Sequence, residues 1–200
     1  MTYIRASHPL GGLLTFDSAR SKRNMTLGYN DALRAFGQLR GTRYSFDPID
    51  AQLLASTAQD FVCHLTAQEA SLGGRNSAPL FGLLEESLRP GADAVDYFLR
   101  ACELCAETLG IDPARIYMFD EFRDAIARNL PLEHAQSMLG SLLGGRIGVL
   151  FAPPQPDRRV VLACLTLLLR HEGSFSALAM HTLAAFPREL LCALTLKEIL

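Results

Sequence analysis

The chain of 200 residues contains no tryptophan and only two lysines, Lys22 and Lys197. Neither lysine stands in the Gly-Lys-Ser/Thr sequence of a phosphate-binding P-loop. The chain also lacks the G-x-G-x-x-G pattern of dinucleotide-binding folds, the G-x-S-x-G nucleophile elbow and the H-E-x-x-H zinc motif. These absences argue against the enzyme classes that the four motifs identify. We therefore predict no cofactor and no metal.

Long hydrophobic runs are missing as well. The most apolar stretch, Val160 to Leu169, is ten residues long and contains one threonine. Because a bilayer-spanning helix needs about 20 apolar residues, this stretch predicts a buried helix and no transmembrane segment. Near the start of the chain, Gly11 and Gly12 break a short apolar patch that is not typical of a secretory signal peptide. We expect an intracellular protein, either in the cell that makes it or, for an effector, in a host cell.

Hydrophobic residues make up 49% of the chain and charged residues 20%, which is enough apolar surface for one folded domain. The net charge of -2 is unevenly distributed, because residues 1–46 hold seven basic and two acidic side chains and the remainder is therefore acidic. We interpret residues 1–23 as a basic arm, with Arg20, Lys22 and Arg23 as its cluster, and residues 24–200 as a helical domain. Without a recognition helix or interleaved aromatics, the arm does not favour nucleic acid as a partner.

Helical spacing of apolar residues dominates the rest of the chain. Asp47-Pro48 and Asp112-Pro113 each combine a capping side chain with a proline suited to the first helical turn, so each is predicted to start a helix. The predicted fold is an all-α, single-domain bundle of about eight or nine helices. At most one short strand is expected, at residues 146–152. The helix over Val160 to Leu169 is apolar on all sides, which predicts a central position.

Five cysteines are spread along the chain, and we expect them to be reduced. Cys102 and Cys105 form a C-x-x-C pair on a predicted helix, where they continue an apolar stripe that favours burial. Helical thiol peroxidases of the alkyl hydroperoxidase D type follow such a pair with a histidine four residues later, where this chain has Leu109. A thiol-dependent redox enzyme using Cys102 and Cys105 remains an alternative function.

A second alternative comes from a family resemblance. The segment from Leu88 to Asp93, the following Leu109 to Pro113, and Gly145-Arg146-Ile147 resemble in order the BH3 and BH1 motifs of Bcl-2 proteins. This resemblance implies an apoptosis regulator with a helix-binding groove. It also implies that Arg146 would pair with an aspartate of a bound BH3 helix.

Our leading prediction is a non-enzymatic protein–protein interaction module that binds another protein through an apolar helical face or groove. The ratio of 17 arginines to two lysines indicates GC-rich coding, which is typical of some bacteria and DNA viruses and suggests a regulatory or effector protein. Phe119 and Phe122 form an aromatic stripe that either contacts the partner or packs in the core. Together with Arg146, they are the candidate partner-binding residues.

Overall fold

The computed structural model describes residues 4–11, 17–71, 80–143, 157–170 and 186–200. This part of the chain contains nine helices and two strands of two residues each, and it confirms the predicted all-α fold. In chain order the elements are α1 (Ser18–Ala35), β1 (Ser45–Phe46), α2 (Pro48–Leu53), α3 (Ala55–Ser71), α4 (Leu80–Glu85), α5 (Ala94–Leu109), β2 (Ile116–Tyr117), α6 (Phe119–Asn129), α7 (Leu132–Leu143), α8 (Arg158–Arg170) and α9 (Pro187–Ile199).

Local sequence signals explain several helix ends. The Asp47 side chain accepts a hydrogen bond of 2.9 Å from the N–H of Ile49 at the start of α2, as the Asp-Pro pair predicts. At α5, Asp93 and Asp96 form a reciprocal capping box. The same helix ends at Gly110, whose φ of 72° lies in the left-handed region that glycine adopts at low cost.

The helix predicted from Asp112 is wrong. The Asp112 side chain does accept a bond of 3.1 Å from the N–H of Ala114, but it closes a turn and not a helix. The next residues form β2, which pairs in parallel with β1, so that Ile116 lies opposite Ser45. Helix α6 begins only at Phe119, whose N–H donates to the carboxylate of Asp50 in α2. Strands β1 and β2 were not expected, because the sequence predicted at most one short strand, near residues 146–152. That segment lies outside the described residues.

Two other segments differ from the sequence prediction. Residues Ser18 to Arg23 of the predicted arm belong to α1, where the Asp17 side chain caps the helix through the N–H of Ala19. The single helix predicted after Asp47 is divided into α2 and α3 at Leu54. Composition did not indicate the start of α1, because the first six residues of this helix carry no apolar period. It did not indicate the division at Leu54 either.

The central helix is α5, which contacts α3, α4, α6, α8 and α9. Helix α8, predicted to be central because it is apolar on all sides, is buried as expected but packs chiefly between α7 and α9. Helix α5 buries charged residues along with its apolar ones, namely Arg100 and Glu103. Burial of charge in this position requires partners, because an unpaired buried carboxylate is very costly.

The carboxylate of Glu103 is fully buried and joins α5 to the loop before β1. It accepts hydrogen bonds from the backbone N–H groups of Thr42, Arg43 and Tyr44, at 2.6, 3.0 and 3.1 Å. It also accepts one from Arg100 at 3.1 Å and one from the Thr42 hydroxyl. Successive N–H groups around one carboxylate form an anion-binding nest. Glu103 therefore fixes the path of this loop.

Gly41 makes this nest possible. Its φ of +100° lies in the left-handed region, and a Cβ atom there would lie 2.5 Å from the carbonyl oxygen of Tyr44 and 2.9 Å from the Glu103 carboxylate. A larger residue would therefore displace the loop from Glu103.

A second carboxylate, Glu107, lies one turn further along α5. It binds Arg100 at 3.0 Å, Arg188 of α9 at 2.6 Å and Arg43 at 3.4 Å. Burial raises the pKa of Glu107, but these guanidinium groups outweigh it and hold the pKa below its ordinary value. Glu107 thus connects the loop before β1 to the last helix.

Glu103→Ala is expected to lower the free energy of unfolding by about 3–4 kcal/mol, because it leaves three buried backbone N–H groups without their acceptor and removes one of the two carboxylates that Arg100 binds. Urea denaturation followed by circular dichroism measures this loss. Glu121→Ala is the matched control, since Glu121 pairs with Arg115 at the surface and its loss should cost less than about 1 kcal/mol. Equal losses in the two variants would contradict the role given to Glu103.

Candidate interaction face

Helix α1 has its polar side toward the protein and its apolar side toward solvent. Its four buried residues are Leu27, Asn30, Asp31 and Arg34, three of which are polar. On the opposite side, Met25 is 74% exposed, and Tyr29 and the C-cap residue Phe36 are each 63% exposed. Surface helices of globular proteins usually show the reverse arrangement, with the apolar stripe facing the core.

Hydrogen bonds satisfy the buried polar side of α1. Arg34 forms an ion pair with Asp31 and donates to the carbonyl oxygen of Tyr44 at 3.2 Å and to the Ser45 hydroxyl. The N–H of Ser7 donates to Asp31 at 3.1 Å, so the segment before α1 also binds this side. These bonds orient the helix and leave its apolar side uncovered in the described part of the protein.

The basic cluster predicted from the sequence lies at the N-terminal end of the same helix. Arg20, Lys22 and Arg23 are all exposed, and Arg23 lies 3.6 Å from the carboxylate of Asp112. Arg20 and Lys22 have no ion pair among the described residues. By helical spacing, Lys22 lies on the same side as Met25 and Tyr29. We call Lys22, Met25, Tyr29 and Phe36 the outer face of α1.

Phe119 and Phe122, the aromatic candidates for partner binding, lie in the core. Phe122 is fully buried and Phe119 is 7% exposed. The ring of Phe122 packs edge-on against Phe46, with centroids 4.9 Å apart, and against Tyr117 at 5.2 Å. Such aromatic pairs stabilise a fold beyond the area they bury. Neither ring is available to a partner in this structure. Of the two roles predicted for Phe119 and Phe122, packing in the core is therefore the one that agrees with their positions.

The C-x-x-C pair is also inside the protein. Cys102 and Cys105 have no exposed surface, and the Cys105 thiol donates to the carbonyl oxygens of Ala101 at 3.3 Å and Cys192 at 3.5 Å. Burial raises the pKa of both thiols well above its ordinary value. A nucleophilic cysteine needs the opposite shift and access to substrate. This geometry gives no support to the thiol-enzyme alternative.

The residues behind the Bcl-2 resemblance are only partly described. Arg146 lies outside the described residues. The segment from Leu88 to Asp93 lies between α4 and α5, where the N–H of Ala92 donates to the carbonyl of Arg89 in a turn. The BH3-like residues therefore do not form the helix that the resemblance implies.

Sequence reasoning did not identify the outer face of α1, although a signal for it was present. Lys22, Tyr29 and Phe36 recur every seven residues, and Met25 follows Lys22 by three, which is the spacing of one helix stripe. The stripe alone suggests a buried side. The stripe is exposed because Asn30, Asp31 and Arg34, on the other side of α1, make polar contacts with the rest of the protein.

Comparisons with known protein families, with curated proteins and with solved structures found no match to this chain. Among the described residues, no helix is long and apolar enough to span a bilayer, and no group of three histidine, cysteine, aspartate or glutamate side chains is placed to hold a metal ion. The candidate site therefore depends on geometry alone, and that geometry favours the outer face of α1.

Thiol reactivity tests the burial of the cysteines. Cys63 is exposed and the other four cysteines are buried, so a thiol reagent such as DTNB should modify one thiol rapidly in the native protein and all five after denaturation. Cys63→Ser should remove the rapid phase. A second rapid thiol that mass spectrometry assigns to Cys102 or Cys105 would contradict this structure and restore the redox alternative.

Proposed function

We propose that the protein is a non-enzymatic interaction module, a regulatory or effector protein, that binds an amphipathic helix of a partner protein on the outer face of α1. The observation that carries this proposal is the inverted orientation of α1, which buries Asn30, Asp31 and Arg34 and exposes Met25, Tyr29 and Phe36. Burying each such apolar side chain is favourable by about 1.5–3 kcal/mol, so leaving three of them in water is costly unless a partner covers them.

The spacing of the outer face favours a helix as the bound element. Lys22, Tyr29 and Phe36 are seven residues apart, and Met25 lies between the first two at the position that completes a narrow stripe. Such a stripe matches the contact seam between two packed helices. A helix that lies on a membrane typically has a broader apolar side, and α1 is interrupted there by Thr26 and Gly28.

Charge defines the partner further. Arg20 and Lys22 are exposed without ion pairs among the described residues, and residues 1–46 as a whole carry an excess of basic side chains. A partner helix with aspartate or glutamate beside its apolar stripe complements this charge. A second copy of the same helix would place like charges together and is disfavoured for that reason.

The experiment first places a photo-crosslinking amino acid at position 29 and identifies the peptide that it captures in cells of the native source. The captured segment should be an amphipathic helix with acidic residues, and its synthetic peptide should bind the purified protein. Met25→Ser with Phe36→Ser should weaken this binding at least tenfold, because both anchors are lost. Ile49→Ser with Leu53→Ser is the matched control, since these side chains of α2 are 75% and 79% exposed.

Three results would contradict the proposal. The first is that the control pair on α2 reduces the affinity as much as the α1 pair does. The second is that the wild-type protein forms a dimer that the α1 substitutions dissociate, which would make a second copy the occupant. The third is that the protein sediments with anionic vesicles and that Phe36→Ser abolishes this. A membrane surface, and not a partner protein, would then be the occupant of the outer face.

A further inference from the structure

A cleft of about 790 Å³ lies on a different part of the surface from the outer face of α1. Its walls are the segment around Ser7, the C-terminal end of α1, the loop of residues 37–43, the turn that follows α4 and the first turn of α5, which contributes Asp96. Five arginines line it, contributed by four of these walls: Arg5, Arg34, Arg40, Arg43 and Arg89. Neither proposed partner binding nor the core explains this concentration of guanidinium groups.

Only some of these arginines have carboxylate partners. Arg34 pairs with Asp31, and Arg40 pairs with Asp93 and Asp96 at 2.8 and 2.7 Å. Arg43 has only the longer pair with Glu107, at 3.4 Å. Among the described residues, Arg5 and Arg89 have no ion pair. The lining itself holds three carboxylates, Asp31, Glu86 and Asp96, and Asp93 and Glu107 reach its arginines from outside the lining. The lining cations left without a paired carboxylate in the described part of the protein are therefore Arg5 and Arg89.

The guanidinium groups are close enough to influence one another. Burial lowers the pKa of Arg34, and the positive charge of Arg89 lowers it further, while Asp31 acts in the opposite direction. Burial also lowers the pKa of His8, and Arg43 and Arg34 add to this shift. Positive charges that converge in this way repel one another, and a bound anion would relieve that repulsion.

The lining also restricts the kind of anion. Among the described residues that line the cleft, no side chain is aromatic, so the cleft offers no ring on which a nucleobase could stack. Arginine binds phosphoryl oxygens through two parallel hydrogen bonds, which lysine cannot do. The volume is within the range of small-molecule sites and much larger than one phosphate ion. Moreover, Arg5 and Arg89 belong to separate walls of the cleft.

The geometry points to a binding site for a small anion that carries two or more phosphoryl groups, held by Arg5, Arg43 and Arg89. Arg34 and Arg40, whose charges are already paired with carboxylates, shape the cleft. This inference is independent of the proposed function, because none of the residues of the outer face lines the cleft.

Isothermal titration calorimetry of the full chain with pyrophosphate tests the site, at one fixed low ionic strength. One pyrophosphate should bind per chain, at least tenfold more tightly than orthophosphate or citrate. Arg89→Ala should weaken binding about tenfold, as expected for the loss of one charge-assisted contact. Arg89→Lys, which keeps the charge without the paired hydrogen bonds, should fall between Arg89→Ala and the wild type. Arg128→Ala is the matched control, because Arg128 is exposed on α6 and does not line the cleft.

The inference is overturned if pyrophosphate does not bind, or if Arg128→Ala weakens binding as much as Arg89→Ala. Equal affinity for citrate and pyrophosphate would show that the site does not select phosphoryl groups. Equal affinity for orthophosphate would show that a single phosphoryl group is enough. Circular dichroism of each variant confirms that the fold is retained, since Arg89 is an exposed side chain.

Discussion

The hydrogen bonds between the Glu103 carboxylate and the backbone of Thr42 to Tyr44 determine the positions of both candidate binding surfaces. They hold the loop before β1 against the central helix α5. The carbonyl oxygen of Tyr44, at the end of that loop, accepts a hydrogen bond from Arg34 and so orients α1. Arg43, in the same loop, lines the arginine cleft. One buried carboxylate is thus connected to both surfaces within a few residues.

This arrangement explains how α1 can expose an apolar stripe and still have a defined orientation. Most surface helices are oriented by the burial of their apolar side. In α1, Leu27 is buried, but the other buried groups are an amide and an ion pair with specific hydrogen-bond partners. Because buried polar groups are costly unless all of their bonds are made, these contacts favour one rotation of the helix over others. Met25, Tyr29 and Phe36 therefore stay exposed in the described part of the protein.

Much of the fold could be predicted from the sequence. Helix α5 has its capping aspartate and terminal glycine where local rules expect them, and the burial of Cys102 and Cys105 follows from their place in an apolar stripe. The helix-start rule failed at Asp112. An Asp-Pro pair starts α2 at Asp47, but the second Asp-Pro pair, at Asp112, closes a turn before β2. The difference depends on Ser45, a distant residue that pairs with Ile116. Local sequence carries no information about such a pairing.

The candidate surfaces were harder to predict for a similar reason. A heptad-spaced stripe on α1 is equally consistent with a core-facing and a solvent-facing helix, and only the partners of Asn30 and Arg34 decide between them. The arginine cleft combines arginines from four separate segments, among them Arg5 and Arg89, that no single motif contains. Arg20, Lys22 and Arg23, which the sequence assigns to an extended basic arm, lie on a helix, where all three are exposed.

Site-specific thiol labelling measures the orientation of α1, on which the proposed binding surface depends. In a Cys63→Ser background, which lacks the exposed native thiol, the Tyr29→Cys and Asn30→Cys variants place new thiols on opposite sides of the helix. The thiol at position 29 should react with maleimide at the rate of a free cysteine. The thiol at position 30 should react only when the protein unfolds. Rapid labelling at position 30 with protection at position 29 would show that α1 has the opposite orientation and would contradict the account.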